Sequence, residues 1–255
     1  MPAVHRHALL ASVLFLSAIA AHAADDEIQV YEDEIDEPGE FGLEMHMNYV
    51  VASHAAPATP AQTPPLHVFR FTPEFSYGVS ERFDVGLYLP MVRTPEEDPE
   101  LLGAKLRAKY LDVNAGQPWY WGMNFELGRV SRTLDDAHWG LEVRPIIGYR
   151  AGRLTVTVNP ILEWALSGSP ADASPEFAPC AKVSWRVLGD WRVGVEHYAG
   201  MGPLDEPLPA RERAQNTFLA VDGKRGSTDF NVGIGRGWSG ESDTWVVKAV
   251  VGLEF

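Results

Sequence analysis

Between residues 69 and 77 the odd positions are Phe69, Phe71, Pro73, Phe75 and Tyr77, and the even ones are Arg70, Thr72, Glu74 and Ser76. One apolar row and one polar row with a period of two is the signature of a half-buried β-strand. The pattern recurs at 83–91, where Phe83, Val85, Leu87, Leu89 and Met91 oppose Asp84, Gly86, Tyr88 and Pro90. It recurs at 119–127, with Trp119, Trp121, Met123, Phe125 and Leu127 on one side, and again at 245–255, which ends on Leu253 and Phe255. Twelve such segments are predicted: 40–50, 67–77, 83–91, 103–111, 119–129, 138–149, 154–164, 176–187, 191–198, 215–221, 228–236 and 244–255. Most match the ~9–11 residues that a tilted strand needs to cross a bilayer, and exceed the ~5–6 of an ordinary globular strand. The tenth, 215–221, is the shortest.

The connections alternate in length. Long ones (51–66, 92–102, 130–137, 165–175, 199–214 and 237–243) separate short ones (78–82, 112–118, 150–153, 188–190 and 222–227). Outer-membrane barrels have short periplasmic turns and longer outer loops. An even strand count with a long first connection places both termini in the periplasm. Aromatic residues fall toward strand ends, with Trp139, Trp164, Trp245 and Tyr49 beside long loops. Trp119, Trp121, Tyr149, Trp185, Trp191 and Phe255 lie beside short turns or the terminus. Two such belts suit the two interfaces of a membrane. The expected fold is all-β: a transmembrane antiparallel up-and-down β-barrel of about twelve strands. Pro73, Pro145, Pro160 and Pro179 lie inside proposed strands and each removes a ladder donor, so bulges or breaks are expected there.

Residues 1–23 read as a secretory signal peptide. Arg6 gives a basic start, Ala8 to Ala21 is an apolar run, and Ala21-His22-Ala23 supplies the small residues of a cleavage site. Residues 24–39 then form an acidic segment and 40–255 the barrel. Arg6 is the one base of the first 23 residues, so the remainder carries 20 bases against 35 acids, a net −15. That balance excludes a nucleic-acid partner, which would need clustered Lys and Arg. A single cysteine, Cys180, excludes an intrachain disulfide and a Cys-rich metal site.

Three stretches carry a resemblance: 28–34 (Ile-Gln-Val-Tyr-Glu-Asp-Glu), 38–44 (Pro-Gly-Glu-Phe-Gly-Leu-Glu) and 230–237 (Phe-Asn-Val-Gly-Ile-Gly-Arg-Gly). With the C-terminal strand ending in Phe255, they resemble a group of proteobacterial outer-membrane β-barrel proteins. That group is loosely related to the phenol-degradation-pathway transporter family. The resemblance implies a cell outer membrane location and an assembly signal at Phe255 for the barrel-assembly machinery. It implies lipid and lipopolysaccharide as surroundings, and carries over no binding residues.

If the apolar rows face hydrocarbon, the polar rows enclose a lumen. They carry the bases Arg70, Lys105, Arg107, Lys109, Arg144, Lys182, Arg186, Arg192 and Lys248. They also carry the acids Glu44, Glu74, Asp84, Glu126, Glu142, Glu163, Glu176, Glu196, Asp229 and Glu254. Such a lumen either holds water and passes small solutes, or closes on its own ion pairs as a structural or binding barrel. Lys105, Arg107 and Lys109 alternate on one strand, either as an anion ladder or as bases matched by Glu126 and Glu142. The segment from Asp25 to Glu37 carries eight acids and no base, interrupted by Ile28, Val30, Tyr31 and Ile35. It is either a solvated periplasmic tail or a plug folded into the lumen. There is no His-x-Ser pair and no metal-ligand spacing, so no catalytic residue, metal or cofactor is expected, and the chain is read as no enzyme.

Overall fold

The computed structural model describes residues 27–55, 64–114, 116–131, 139–168 and 173–255, the side chain of Glu254 apart. The signal peptide assigned to 1–23 lies outside the described residues, as do Asp25 and Asp26. The described residues contain no helix. Their strands are β1 (Phe41–Ala52), β2 (Phe69–Ser80), β3 (Phe83–Tyr88), β4 (Met91–Arg93), β5 (Glu100–Leu101), β6 (Gly103–Val113), β7 (Trp119–Val130) and β8 (Trp139–Ala151). They continue with β9 (Leu154–Asn159), β10 (Leu162–Ala165), β11 (Glu176–Phe177), β12 (Cys180–Leu188), β13 (Trp191–Ala199), β14 (Gln215–Arg225), β15 (Thr228–Gly237) and β16 (Trp245–Glu254). Four crossings are split in two: β3 with β4, β5 with β6, β9 with β10, and β11 with β12. The result is a closed antiparallel barrel of twelve crossings. Each crossing pairs with its chain neighbours, and β1 closes the ring by pairing with both β2 and β16.

The prolines explain most of the splits. β3 and β4 part at Leu89-Pro90, beside Pro73 of the unbroken β2, whose carbonyl accepts from Leu89 N–H at 3.0 Å. Pro145, inside the unbroken β8, lies between the pairs Ile147↔Val158 and Val143↔Leu162, which sets it beside Pro160. Pro160 lies between Asn159↔Cys180 and Leu162↔Phe177, which sets it beside Pro179. Three donor-less residues thus share one row across the wall. Their lost ladder bonds are concentrated in a single seam, and pairing resumes at once where Ala178 N–H reaches Ile161 O at 3.0 Å. The expected breaks therefore occur at Pro160 and Pro179, while Pro73 and Pro145 keep their strands intact.

One boundary needs correction. The tenth segment does not end at 221. It runs on to Arg225, pairing Asp222 with Asn231 and Lys224 with Asp229. Gly and polar residues at 222–227 look like turn chemistry, but the ladder with β15 carries the strand on through Arg225.

The two faces separate as the period of two requires. Phe75, Leu106, Phe125, Ile147, Leu219 and Ile234 are exposed on the outer face, while their chain neighbours are buried or half-buried inside. Trp119, Trp121, Trp185 and Trp191 are exposed near the short turns, and Trp139, Trp238 and Trp245 near the long loops. Trp119 packs on Tyr149 at 4.6 Å and Phe41 on Tyr77 at 4.7 Å.

Candidate functional site

The lumen is where the charged side chains converge. Because strand residues alternate, every second side chain of twelve strands is driven inward, and a barrel this narrow brings opposite walls within reach. Burial of a charge is tolerated only with a partner or water.

On one side the bases are met by wall carboxylates. Arg107 spans Glu74 at 2.5 Å and Asp84 at 2.6 Å, Lys109 reaches Asp84 at 3.3 Å, and Lys105 reaches Glu126 at 3.2 Å. The partners of the Lys105-Arg107-Lys109 row are therefore Glu74, Asp84 and Glu126; Glu142 is taken by Arg144 at 2.7 Å. Arg70 is buried with its guanidinium toward Asn48. Gly86 keeps the wall thin beneath this knot, since a Cβ there would press on the Arg107 and Glu74 side chains.

On the other side, Lys248 pairs with Glu196 at the buried centre of β13 and β16. Glu196 also accepts from Tyr198 Oη at 2.7 Å and Asn231 Nδ2 at 2.9 Å. Lys182 meets Asp222 at 2.6 Å and Glu196 at 3.6 Å. Glu163 is half-buried, opposite Glu142 and Glu176 in the register. Arg186 departs from expectation: it is exposed at the rim by the short turn, donating to Gly152 O at 2.9 Å. Its row points inward, but the turn leaves no wall above it.

The described part of the acidic segment, from Glu27, occupies this lumen. Glu27, Val30 and Tyr31 are all buried. Glu27 pairs with Arg144 at 3.3 Å, Glu32 with Lys182 at 2.7 Å and Arg192 at 3.9 Å, and Asp33 with Arg150. The backbone is held too. Asn159 accepts from Tyr31 N–H at 2.8 Å and donates to Tyr31 O at 3.0 Å, while Lys248 donates to Ile28 O at 2.8 Å. The apolar interruptions find apolar seats: Val30 joins Ile161, Ala178 and Cys180; Tyr31 joins Leu111, Tyr120 and Ile146; Ile28 packs on Val50, Phe218 and Val246. The Tyr31 hydroxyl bonds that of Tyr88, and its ring lies 4.3 Å beneath the Arg144 guanidinium. The segment leaves the lumen at Pro38-Gly39, where Gly39 takes a positive φ of 89° and donates to Gly78 O at 2.8 Å before β1 begins.

Sequence reasoning left Tyr88, Tyr120, Asn159, Asp222 and Phe218 without a role, although all lie on inward rows. Gly148 was a signal for one of them: a Cβ there would overlap the Tyr120 ring, which lies flat across the wall to reach Thr157 at 2.5 Å.

Glu44, His46 and Glu74 bring three ligand-type atoms within 4.8 Å of one another. His46 Nε2 lies 3.1 Å from Glu44 and 3.3 Å from Glu74. Arg107 holds the other oxygen of Glu74, so a fixed cation already sits beside the cluster, in which His46 lies between two carboxylates. His197 lies on the outer face and bonds Thr217 at 2.9 Å, away from any carboxylate named in the lumen.

Solved structures share this architecture. An outer membrane channel from Pseudomonas putida F1 superposes with a TM-score of 0.59 at 12% identity, over 90% of this chain and 100% of that one. A KdgM porin gives 0.53 at 10% identity, over 84% and 98%. The same porin in complex with disordered oligogalacturonate gives 0.52. At these identities the likeness is one of fold. No family model matches the sequence, and no curated protein matches it.

Proposed function

We propose that this chain is an outer-membrane channel for small solutes, and that residues 24–39 act as a plug held in its lumen. The observation that carries the reading is the inverted distribution of side chains. Apolar residues cover the outside of a closed cylinder, and a charged, hydrogen-bonded row lines the inside, as in membrane barrels with hydrophilic interiors. The fold shared with a channel and a porin supports it, as does the complex of a KdgM porin with disordered oligogalacturonate, a soluble ligand for a barrel of this architecture. Both termini lie in the periplasm in this reading, and no catalysis is assigned. The surroundings are outer-membrane lipid and lipopolysaccharide.

A non-conducting barrel is the second reading, favoured by the Arg107–Glu74–Asp84 knot, in which wall charges satisfy one another without a solute. The two separate in planar bilayers. The mature chain, purified in detergent, should give infrequent single-channel steps, and liposomes carrying it should swell slowly in neutral, anionic or aromatic solutes. A heat-modifiable barrel that gives neither steps nor swelling, with or without residues 24–38, overturns the channel.

Phe255 is proposed as the assembly signal. Its N–H closes the barrel seam onto Phe41 O at 2.9 Å and its ring is exposed. Deleting it should lower the assembled, heat-modifiable fraction in cells sharply while leaving refolding in detergent intact.

A further inference from the structure

Apart from the plug, the cations of the wall fall into two groups. Lys105, Arg107 and Lys109 meet Glu74, Asp84 and Glu126, three bases to three acids. Round the arc from β8 to β16, Arg144, Lys182 and Lys248 meet wall carboxylates in Glu142, Asp222 and Glu196, and Glu163 and Glu176 lie on the same arc. Among the described residues, Arg150 and Arg192 find their ion-pair partners in the plug, in Asp33 and Glu32. The plug supplies Glu27, Glu32 and Asp33 to this arc, spread over roughly 20 Å of extended chain. The arc also grips backbone amides at Ile28 and Tyr31, contacts that read no particular side chain.

We propose that the β8–β16 arc is a binding track for a linear polycarboxylate, and that residues 27–33 occupy it as an internal competitor. With the plug in place Arg144 and Lys182 are nearly inaccessible to solvent, so an anion that takes the plug's seat forms charge-assisted bonds largely shielded from salt. Carboxylates spaced along an extended polymer fit a row of separated cations; a compact anion would engage only one of them. As a transport route the track rests on the channel reading, but binding to it does not.

The test uses the mature barrel lacking residues 24–38 and fluorescence anisotropy with labelled probes. The probes are a synthetic peptide of residues 24–38, a hexauronate and a neutral hexasaccharide of equal length. Both acidic probes are expected to bind at least about tenfold tighter than the neutral one, and Arg144→Gln with Lys182→Gln should remove at least about tenfold of that affinity. The full-length chain should bind each acidic probe more weakly than the deleted one. Equal binding of acidic and neutral probes, or none by either acidic probe, overturns the track. Peptide binding without uronate binding restricts it to the plug and also overturns the proposal. If the deleted barrel does not fold, full-length Glu32→Gln/Asp33→Asn gives the same test, because a loosened plug should raise hexauronate binding. Binding without conductance would sink the channel and keep the track; conductance without binding would do the reverse.

Discussion

Deleting residues 24–38 is expected to raise single-channel conductance by about an order of magnitude, because the segment fills the space that ions would use. A twelve-strand barrel has a backbone diameter of about 24 Å, from ~4.8 Å strand spacing and ~40° tilt, and inward side chains reduce it to about half. An extended chain with its side chains is about 10 Å across, by analogy with the spacing of packed sheets. The remaining aperture is therefore closed where Tyr31 sits between Tyr88, Tyr120 and Arg144. Pre-incubating the deleted barrel with the free 24–38 peptide should lower the conductance again, and a Glu32→Gln/Asp33→Asn peptide should block less well. An unchanged conductance after deletion would show that the wall pairs themselves close the lumen.

The second large effect concerns stability. Glu196 receives Lys248, Lys182, Tyr198 and Asn231, and both it and Lys248 are buried. Among the described residues Glu196 is the carboxylate within ion-pair distance of Lys248, so Glu196→Leu leaves a buried cation without its direct partner, and such a loss costs about 3–5 kcal/mol. The urea midpoint of heat-modifiability in detergent should fall accordingly. Adding Lys248→Met should restore most of it, because a buried pair exchanged for apolar groups of similar volume is close to neutral. A double variant as unstable as the single would mean that Glu196 matters through Tyr198 and Asn231 instead. The salt dependence should be slight, since both groups are shielded from solvent.

Much of the barrel was legible because parity is a local property. Whether Phe75 or Glu74 faces lipid is decided by a period of two, and a single strand displays it. The alternation of long and short connections likewise needs no knowledge of partners. The tenth strand was read too short because Asp222-Gly223-Lys224 has turn composition, and only its ladder with β15 overrides that preference. Glu74, Arg107, Glu126, Arg144, Lys182, Glu196 and Lys248 are buried, whereas Arg186 at the rim is exposed because the turn beside it ends the wall.

The sequence by itself determined a cylinder with its polar row inside, together with an acidic segment carrying four apolar residues and no base. The tertiary structure decided where that segment goes, which carboxylate answers which base, and that Pro145, Pro160 and Pro179 share one row. The reason is physical. Facing is set by neighbours one and two residues away, whereas pairing across a lumen depends on register and closure, which bring Glu27 to Arg144 and Lys248 to Glu196 from distant parts of the chain.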